Sequence, residues 1–198
     1  MPANVDATLA RLRGWGLPTR WTVSSASTPE WYEAALGAHG LTLYDEWPGM
    51  VARIEDLPEP EMGNATIEVV RTAAGSEEWT DVMCDAFGVP ADTAGFMREA
   101  HAWPHMHNAG LLYLLVRSAG KAVATGLLRS AAGVAGIYGI TVRRGFQRRG
   151  LGTLATLVTV HEGARRGATI AILQATREGF PVYDQLGFQT ITSFRSWR

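Results

Sequence analysis

The stretch from Gly139 to Thr153 decides the fold, and it reads Gly-Ile-Thr-Val-Arg-Arg-Gly-Phe-Gln-Arg-Arg-Gly-Leu-Gly-Thr. Its beginning is typical of a buried strand, and Gly150 and Gly152 open an amphipathic helix. The first turn of a helix has unpaired N–H groups and a partial positive charge. Glycine lets a ligand approach that backbone closely, and arginines add charge-assisted contacts, so the stretch predicts a phosphate-binding site.

A tight strand-to-helix turn with a solvated basic loop would also contain two glycines, so the pair alone leaves this structural alternative open. Two better-known phosphate-binding motifs are excluded. A P-loop requires Gly-Lys-Ser/Thr, which does not follow here. A Rossmann turn has a different glycine spacing and is not preceded by three antiparallel strands.

The segment Gln147-Arg148-Arg149-Gly150-Leu151-Gly152 resembles the acetyl-CoA signature of the GNAT N-acetyltransferases, in which glutamine or arginine is followed by x-x-Gly-x-Gly/Ala. Val142 precedes it at the spacing typical of that family. The later segment Tyr183-Asp184-Gln185-Leu186-Gly187-Phe188 is similar to the family's closing Tyr-x-x-Leu-Gly-Phe. The two segments occur in the family's order, with a helix and a strand between them, and the resemblance extends from about Thr66 to the C-terminus.

The resemblance implies an α+β GNAT fold with a mixed central β-sheet flanked by helices, and the surrounding sequence agrees with it. Apolar runs at 111–117, 122–130 and 136–142, separated by glycine-containing turns, predict an antiparallel meander. A helix that begins at Leu151 and ends at Gly167, followed by a strand over 169–174, predicts a parallel crossover.

The flanking segments predict further elements of the same fold. Residues 66–71 alternate as a strand, and the next helix, for which Ser76 is a candidate cap, carries Trp79, Val82, Met83 and Ala86 on one face. A short helix is expected over 92–101. A last helix holds Tyr183 and Leu186, and a strand over 189–194 follows it.

The first sixty residues predict a strand-helix-strand extension. The expected elements are a strand over 19–23, a helix that starts at Ser27-Thr28-Pro29-Glu30 and stops at Gly40, and strands over 41–44 and 50–54. The proline-, glycine- and acid-rich segment 57–64 indicates a linker, so we expect domains at 1–62 and 63–198. Two origins stay open for the first: half of a tandem GNAT repeat, or an unrelated extension. A half-domain would expose a sheet edge and would dock on the next domain or on a second copy in a homodimer.

The resemblance further implies acetyl-CoA as the co-substrate. Pantetheine would lie between the strands that contain Ile140 and Ile172, and an N–H of the first strand would polarise the thioester carbonyl. Thr176 stands where many relatives have asparagine, so a hydroxyl replaces the amide there. The residues expected to contact the coenzyme are Ile140, Thr141, Val142, Gln147, Arg148, Arg149, Gly150, Leu151, Gly152, Thr153 and Thr176.

Tyr183 is the candidate general acid that protonates the departing CoA thiolate, because a phenol with a pKa of about 10 is protonated at neutral pH. The alternative is a core aromatic residue with its hydroxyl at the surface. The acceptor is expected to be a small-molecule or protein amine. No base is assigned. His101, His105 and His107 suggest either a metal site or, together with Trp103, substrate contacts, and we expect no metal.

Composition limits the remaining classes of function. A net charge of −1 disfavours binding to nucleic acid or to acidic membranes. Cys84 is the only cysteine and has no evident histidine or acid partner, which argues against a cysteine nucleophile, and His161 is expected to be structural. No long apolar span or signal core is evident, so a cytoplasmic protein is expected. Two functions stay open: N-acyl transfer to an amine, or a catalytically silent module that binds acyl-CoA.

Overall fold

The computed structural model describes residues 3–15, 20–26, 31–102 and 110–198, and it describes side chains from residue 5 onward. The helices are α1 (Ala3–Gly14), α2 (Trp31–Ala38), α3 (Ala73–Phe87), α4 (Ala91–Ala100), α5 (Leu151–Arg165) and α6 (Phe180–Leu186). The strands are β1 (Trp21–Ser24), β2 (Leu43–Arg53), β3 (Ala65–Val69), β4 (Leu111–Ser118), β5 (Lys121–Ala131), β6 (Val134–Val142), β7 (Ile170–Gln174) and β8 (Gln189–Trp197). Short 3-10 helices occupy Ile54–Asp56 and Arg144–Phe146.

The chain forms two compact units. The larger unit consists of Val51–Leu173 and Pro181–Phe188, and the smaller unit consists of Met1–Met50, Gln174–Phe180 and Gln189–Arg198. The expected division into domains 1–62 and 63–198 stays a prediction.

The larger unit contains a mixed sheet with the strand order β7-β6-β5-β4-β3. Strands β3 to β6 pair antiparallel in sequence order, which is the expected meander. Strand β7 then pairs parallel to β6, with Val134 opposite Ile170. The parallel crossover through α5 is therefore confirmed, and so is the mixed α+β architecture.

Helices α3 and α5 pack on this sheet for different reasons. Trp79, Val82 and Met83 form the apolar stripe of α3 and pack with Leu115 of β4 in one buried cluster. Helix α5 instead approaches the sheet closely through glycines. A Cβ built on Gly163 would lie 2.6 Å from the Cβ of Ala135, which is closer than carbon atoms approach each other.

The smaller unit contains strands in the order β1-β8-β2, and β1 pairs antiparallel with β8. Its core consists of Val5, Leu9, Val23, Leu36 and Leu41. The sequence analysis missed α1, which supplies the first two of these residues, because only two buried apolar side chains mark its inner face. Thr19 and the predicted helix start at 27–30 lie outside the described residues.

Two separate strands predicted at 41–44 and 50–54 are wrong, because one strand, β2, runs from Leu43 to Arg53. Pro48 and Gly49 suggested an interruption. The Pro48 carbonyl nevertheless accepts a hydrogen bond from the Ala175 N–H at 3.0 Å. Glycine at 49 leaves room for Thr192, since a Cβ there would lie 2.5 Å from its methyl group.

The predicted cap of α3 at Ser76 is also wrong. The helix begins at Ala73, and Thr72 is its N-cap, with a side chain that accepts a hydrogen bond from the Gly75 N–H at 3.1 Å. Ser76 lies inside the first turn, where its hydroxyl donates to the Ala73 carbonyl at 2.8 Å. Both hydroxyl residues satisfy a capping pattern in sequence, and only the backbone path distinguishes them.

The close contact at Gly163 predicts that alanine there and alanine at Gly95, another helical glycine, change the free energy of unfolding in opposite directions. Gly163→Ala is expected to lower the free energy of unfolding by about 1–3 kcal/mol, because the new methyl group overlaps Ala135. Gly95→Ala in α4 is the control, since a Cβ at Gly95 meets nothing within 4 Å. It is expected to stabilise by roughly 0.5–1 kcal/mol through helix propensity. Denaturant unfolding measures both, and equal effects would contradict the packing argument.

Candidate functional site

The loop between β6 and α5 has a backbone that brings its N–H groups together. After the 3-10 turn at Arg144–Phe146, Arg148 has a φ of 59° and Gly150 has a φ of 74°. Both values lie in the left-handed region, which glycine occupies at little cost and arginine rarely occupies. Gly150 is the N-cap of α5 and offers no side chain to cap it.

None of the backbone N–H groups from Gln147 to Thr153 has a hydrogen-bond acceptor within the part of the chain that the structure describes. The first paired N–H of α5 belongs to Leu154, which donates to the Gly150 carbonyl at 2.9 Å. This run of donors coincides with the positive end of the helix dipole. Together these features suit an anion with several oxygens, such as a pyrophosphate.

Gly152 supports a role in ligand binding because the fold does not require it. Its backbone is helical, and a Cβ there would meet only a methyl carbon of Val142 at 3.8 Å, which is an ordinary contact. Glycine costs about 1 kcal/mol relative to alanine inside a helix. The space above this turn is therefore kept open at some cost in helix stability.

The four arginines of the loop divide into two pairs. Arg143 donates from Nε to the Ala122 carbonyl at 2.9 Å. The guanidinium of Arg144 lies beside Gly88 at the C-terminus of α3, where the helix dipole favours a cation. Arg148 and Arg149 are exposed beside the first turn of α5, and Arg149 also donates to the Gly145 carbonyl at 3.2 Å.

Phe146 anchors a basic surface beside the first turn of α5. The Nζ of Lys121, the only lysine in the sequence, and the Cζ of Arg149 each lie 5.4 Å from the centre of its ring. A cavity of about 590 Å³ opens here between the loop, the first turns of α5 and the segment 58–65. A second cavity, of about 600 Å³, is lined by residues near the C-terminal end of α5.

One edge of β6 is open over its second half. The parallel ladder with β7 ends at Gly136 opposite Ile172, and no register with β7 follows it in the described structure. Residues after that point pair only with β5. A strip of backbone polar groups on β6 thus has no strand beside it.

The backbone alternation of β6 decides which groups face this open edge. The Arg143 N–H donates to the Val123 carbonyl on the β5 side at 2.9 Å. Because backbone polar groups alternate along a strand, those of Thr141 also face β5, and those of Ile140 and Val142 face the open edge. The side-chain amide of Gln147 reaches the Val142 carbonyl at 3.4 Å. The contacts of Ile140 and Val142 with a coenzyme stay predictions.

Thr141 and Thr176, two further predicted coenzyme contacts, are engaged elsewhere. Thr141 is 6% exposed, and its hydroxyl pairs with that of Thr125 at 2.5 Å. Thr176 belongs to the smaller unit, where its hydroxyl accepts a hydrogen bond from the Gly179 N–H at 3.1 Å. Their contacts with a coenzyme stay predictions, and the geometry of Thr141 does not favour one.

Tyr183 of α6 is 9% exposed, and its ring meets Phe188 edge-on with 6.0 Å between centroids. Burial raises the pKa of its phenol, and an interaction with the side chain of Thr156 opposes the shift in part. Thr156 is fully buried, and its hydroxyl donates to the Gly152 carbonyl at 2.9 Å. The phenol is therefore protonated at neutral pH and is linked through Thr156 to the first turn of α5.

The histidine segment is described only in part, because Trp103, His105 and His107 lie outside the described residues. His101 packs edge-on against Trp79 at 5.3 Å, and its buried Nδ1 has no partner among the described residues. Burial lowers its pKa. Within the residues that the structure describes, no group of three or more His, Cys, Asp or Glu could hold a metal ion.

His161 and Cys84 have contacts that are typical of structural residues. His161 Nε2 lies 3.0 Å from the Pro58 carbonyl, so it joins α5 to the segment before β3, as expected of a structural residue. Cys84 is buried on α3, and desolvation raises the pKa of its thiol. A protonated, buried thiol is a poor nucleophile.

A comparison with protein families identifies the chain's relatives. Residues 76–188, more than half of the chain, match the model of the Acetyltransferase (GNAT) family. A search of curated proteins finds no significant match. None of the described helices is both long and apolar enough to cross a membrane.

Solved structures share the fold over nearly the whole chain. A GCN5-related N-acetyltransferase from Kribbella flavida has 23% identity and a TM-score of 0.78, and the match covers 99% of this chain and 74% of that one. A functionally unknown conserved protein from Staphylococcus epidermidis has 14% identity and a TM-score of 0.69, covering 90% and 70%. A GCN5-related N-acetyltransferase from Sphaerobacter thermophilus has 20% identity and a TM-score of 0.68, covering 94% and 62%.

The half-buried His101 predicts a loss of stability in acid. Because its pKa in the folded protein is lowered, the unfolded chain takes up a proton first as the pH falls below about 6.5. The free energy of unfolding should therefore decrease there, and His101→Gln should make that decrease shallower between about pH 7 and pH 5. Denaturant unfolding at several pH values measures both slopes. Identical slopes would contradict the assignment.

Proposed function

The chain belongs to the GNAT acetyltransferase family, and we propose that it transfers the acetyl group of acetyl-CoA to an amine by direct attack. Acyl transfer from acyl-CoA is the general property of this family. The observation that carries the proposal is the run of N–H groups from Gln147 to Thr153, which lack acceptors among the described residues and adjoin the open edge of β6. An anionic coenzyme with an amide-containing arm fits both features.

Binding is assigned to two backbone surfaces. The N–H groups at the start of α5 hold the pyrophosphate, and the exposed Arg148 and Arg149 add charge. The outward-facing backbone groups of Ile140 and Val142 pair with the amides of pantetheine, as a neighbouring strand would. Backbone recognition of this kind depends on the path of the chain more than on side chains.

Acetyl-CoA supplies the acetyl group as a thioester. The chain aligns the thioester with the acceptor and polarises its carbonyl. The Ile140 N–H faces the open edge, where it can donate to the thioester oxygen as negative charge develops there. Holding donor and acceptor side by side accounts for a large part of the acceleration. The amine forms the new N–C bond at the thioester carbon, the C–S bond then breaks to release the CoA thiolate, and the proton lost by the nitrogen passes to solvent.

Tyr183 is the proposed general acid. The thiolate that leaves needs a proton, and the phenol of Tyr183 holds one because burial raises its pKa. Thr156 connects this phenol to the helix turn that holds the pyrophosphate. A donor that interacts with a side chain of the helix following the binding loop keeps a fixed position relative to the coenzyme.

Calorimetric titration with acetyl-CoA tests binding. We expect a dissociation constant in the micromolar range for the chain, weakened about tenfold or more in Gly150→Asp, because the new carboxylate repels the pyrophosphate. Gly133→Asp is the control: its φ of 77° matches the 74° of Gly150, neither Cβ would meet an atom within 4 Å, and it lies in the turn at the far end of β6. It is expected to bind like the wild type. The absence of binding by the wild type would overturn the proposal.

Turnover and its pH dependence test the role of Tyr183. With a panel of polyamines, amino sugars and peptides as acceptors, Tyr183→Phe is expected to lower kcat by about 10²- to 10⁴-fold without weakening acetyl-CoA binding. Since burial raises the phenol's pKa, the wild-type kcat should fall only above about pH 10, and the variant should lack this decline. Tyr32→Phe, in the smaller unit, is the control.

Two outcomes would contradict these assignments. Unchanged kcat in Tyr183→Phe would exclude the phenol as the acid. Binding of acetyl-CoA without turnover on any acceptor would favour the alternative of a silent acyl-CoA-binding module.

A further inference from the structure

Strand β6 contains a β-bulge at the start of its open edge. The register between β5 and β6 shifts between Thr125, which faces Thr141, and Leu127, which faces Tyr138. Gly126 alone therefore faces two residues, Gly139 and Ile140. Gly139 has a φ of 56°, the left-handed conformation that such bulges use.

Two side chains hold the bulge in place. The hydroxyl of Thr125 donates to the Gly139 carbonyl at 2.6 Å, and the indole N–H of Trp79 donates to the Gly126 carbonyl at 3.3 Å. Thr125 is fully buried. The Gly139 carbonyl would otherwise lack the ladder partner that the bulge removes.

The protons in this cluster can be assigned. A threonine hydroxyl has one proton, and Thr125 uses it for the Gly139 carbonyl. The contact of 2.5 Å between the hydroxyls of Thr125 and Thr141 is therefore a hydrogen bond donated by Thr141. The relay runs from Thr141 through Thr125 to the bulge, which fixes the direction of the Gly139 carbonyl.

The direction of that carbonyl determines where the next N–H points. The peptide bond between Gly139 and Ile140 is trans, so its C=O and N–H point in opposite directions. Because Thr125 holds the carbonyl on the β5 side, the Ile140 N–H points to the other side, where β7 has already separated from β6. Rotation of this peptide would turn the N–H away from the open edge.

We infer that Thr125 is a positioning residue for acyl transfer: by holding the Gly139 carbonyl, its hydroxyl aims the Ile140 N–H at the thioester oxygen. The inference rests on the proposed function and assigns no direct contact between Thr125 and substrate. The inference also assigns two separate functions to β6. Val142 lies beyond the bulge and binds the coenzyme arm independently of it, and the Ile140 N–H acts on the reacting carbonyl.

Isosteric replacement tests this role. Thr125→Val keeps the shape and removes the hydroxyl, so kcat is expected to fall by about 10- to 100-fold, a fraction of the loss seen when an oxyanion donor is removed outright. The dissociation constant of CoA, which has no thioester carbonyl, is expected to stay within about twofold. Thr125→Ser keeps the donor and is expected to keep kcat close to that of the wild type.

Thr80→Val is the matched control. Thr80 is also fully buried and also donates one hydrogen bond to a carbonyl, that of Ser76 at 2.9 Å, but it does so within α3. It should lose stability while keeping kcat. If Thr125→Val does not fold, Thr125→Cys, with a thiol that is a weak donor, replaces it with the same expected direction.

The possible results are distinguishable. Equal kcat in Thr125→Val and Thr80→Val would overturn the inference and leave the proposed function intact. A parallel loss of kcat and CoA binding would show that Thr125 is only structural, and failure of the serine variant to retain kcat would show the same. Absence of turnover in the wild type would overturn the proposed function and the positioning role with it.

Discussion

Every backbone N–H and C=O needs a hydrogen-bond partner, and only on its β5 edge does strand β6 have a neighbouring strand along its whole length. Towards β5 the ladder is complete apart from the bulge, where the Thr125 hydroxyl replaces the missing partner of the Gly139 carbonyl. Towards β7 the ladder stops at Gly136. The polar strip that begins there leads into the loop before α5, whose N–H groups also lack acceptors among the described residues. A long ligand could pair with the open edge of β6 and then with the N–H groups before α5. This continuity is the reason to propose a coenzyme.

The position of the first turn of α5 relative to β6 depends on how closely the helix packs against the sheet. A Cβ on Gly126 would lie 2.2 Å from the hydroxyl oxygen of Thr159, and one on Gly163 would overlap Ala135. Any larger residue at these positions would lift the helix and move its first turn relative to β6. Gly150 and Gly152 have a different basis, because no neighbouring atom of the fold crowds them. The glycines of this region thus divide into those required by packing and those that leave space for a ligand.

The sequence was sufficient where a local pattern carries the information. The meander, the crossover through α5 and the loop from Gln147 to Gly152 follow from hydrophobic periodicity and glycine placement, and all of them occur in the structure. Thr125 was missed, since a threonine in an apolar strand is an ordinary strand residue. The one available signal was Gly139, because an isolated glycine inside a strand indicates a bulge.

Tertiary context accounts for the other errors. Helix α1 has a weak apolar face, and its burial depends on partners in α2 and β1 that are distant in sequence. Strand β2 continues through Pro48 because that carbonyl finds Ala175, more than a hundred residues away. The sequence also could not show that Arg143 donates to the Ala122 carbonyl or that the guanidinium of Arg144 lies beside Gly88. Composition counts charges and cannot tell which of them are already engaged.

The single lysine beside the loop has a chemical consequence for a protein that handles an activated acyl group. Side-chain amines are the nucleophiles that a thioester acylates, and these 198 residues contain one, Lys121. Its Nζ lies 5.4 Å from the centre of the Phe146 ring, in a cation–π contact. Arginine supplies positive charge throughout the rest of the sequence without offering an acylable amine. Under the proposed function, the chain therefore offers the acyl group one side-chain amine of its own, and the acyl group is preserved for an external acceptor.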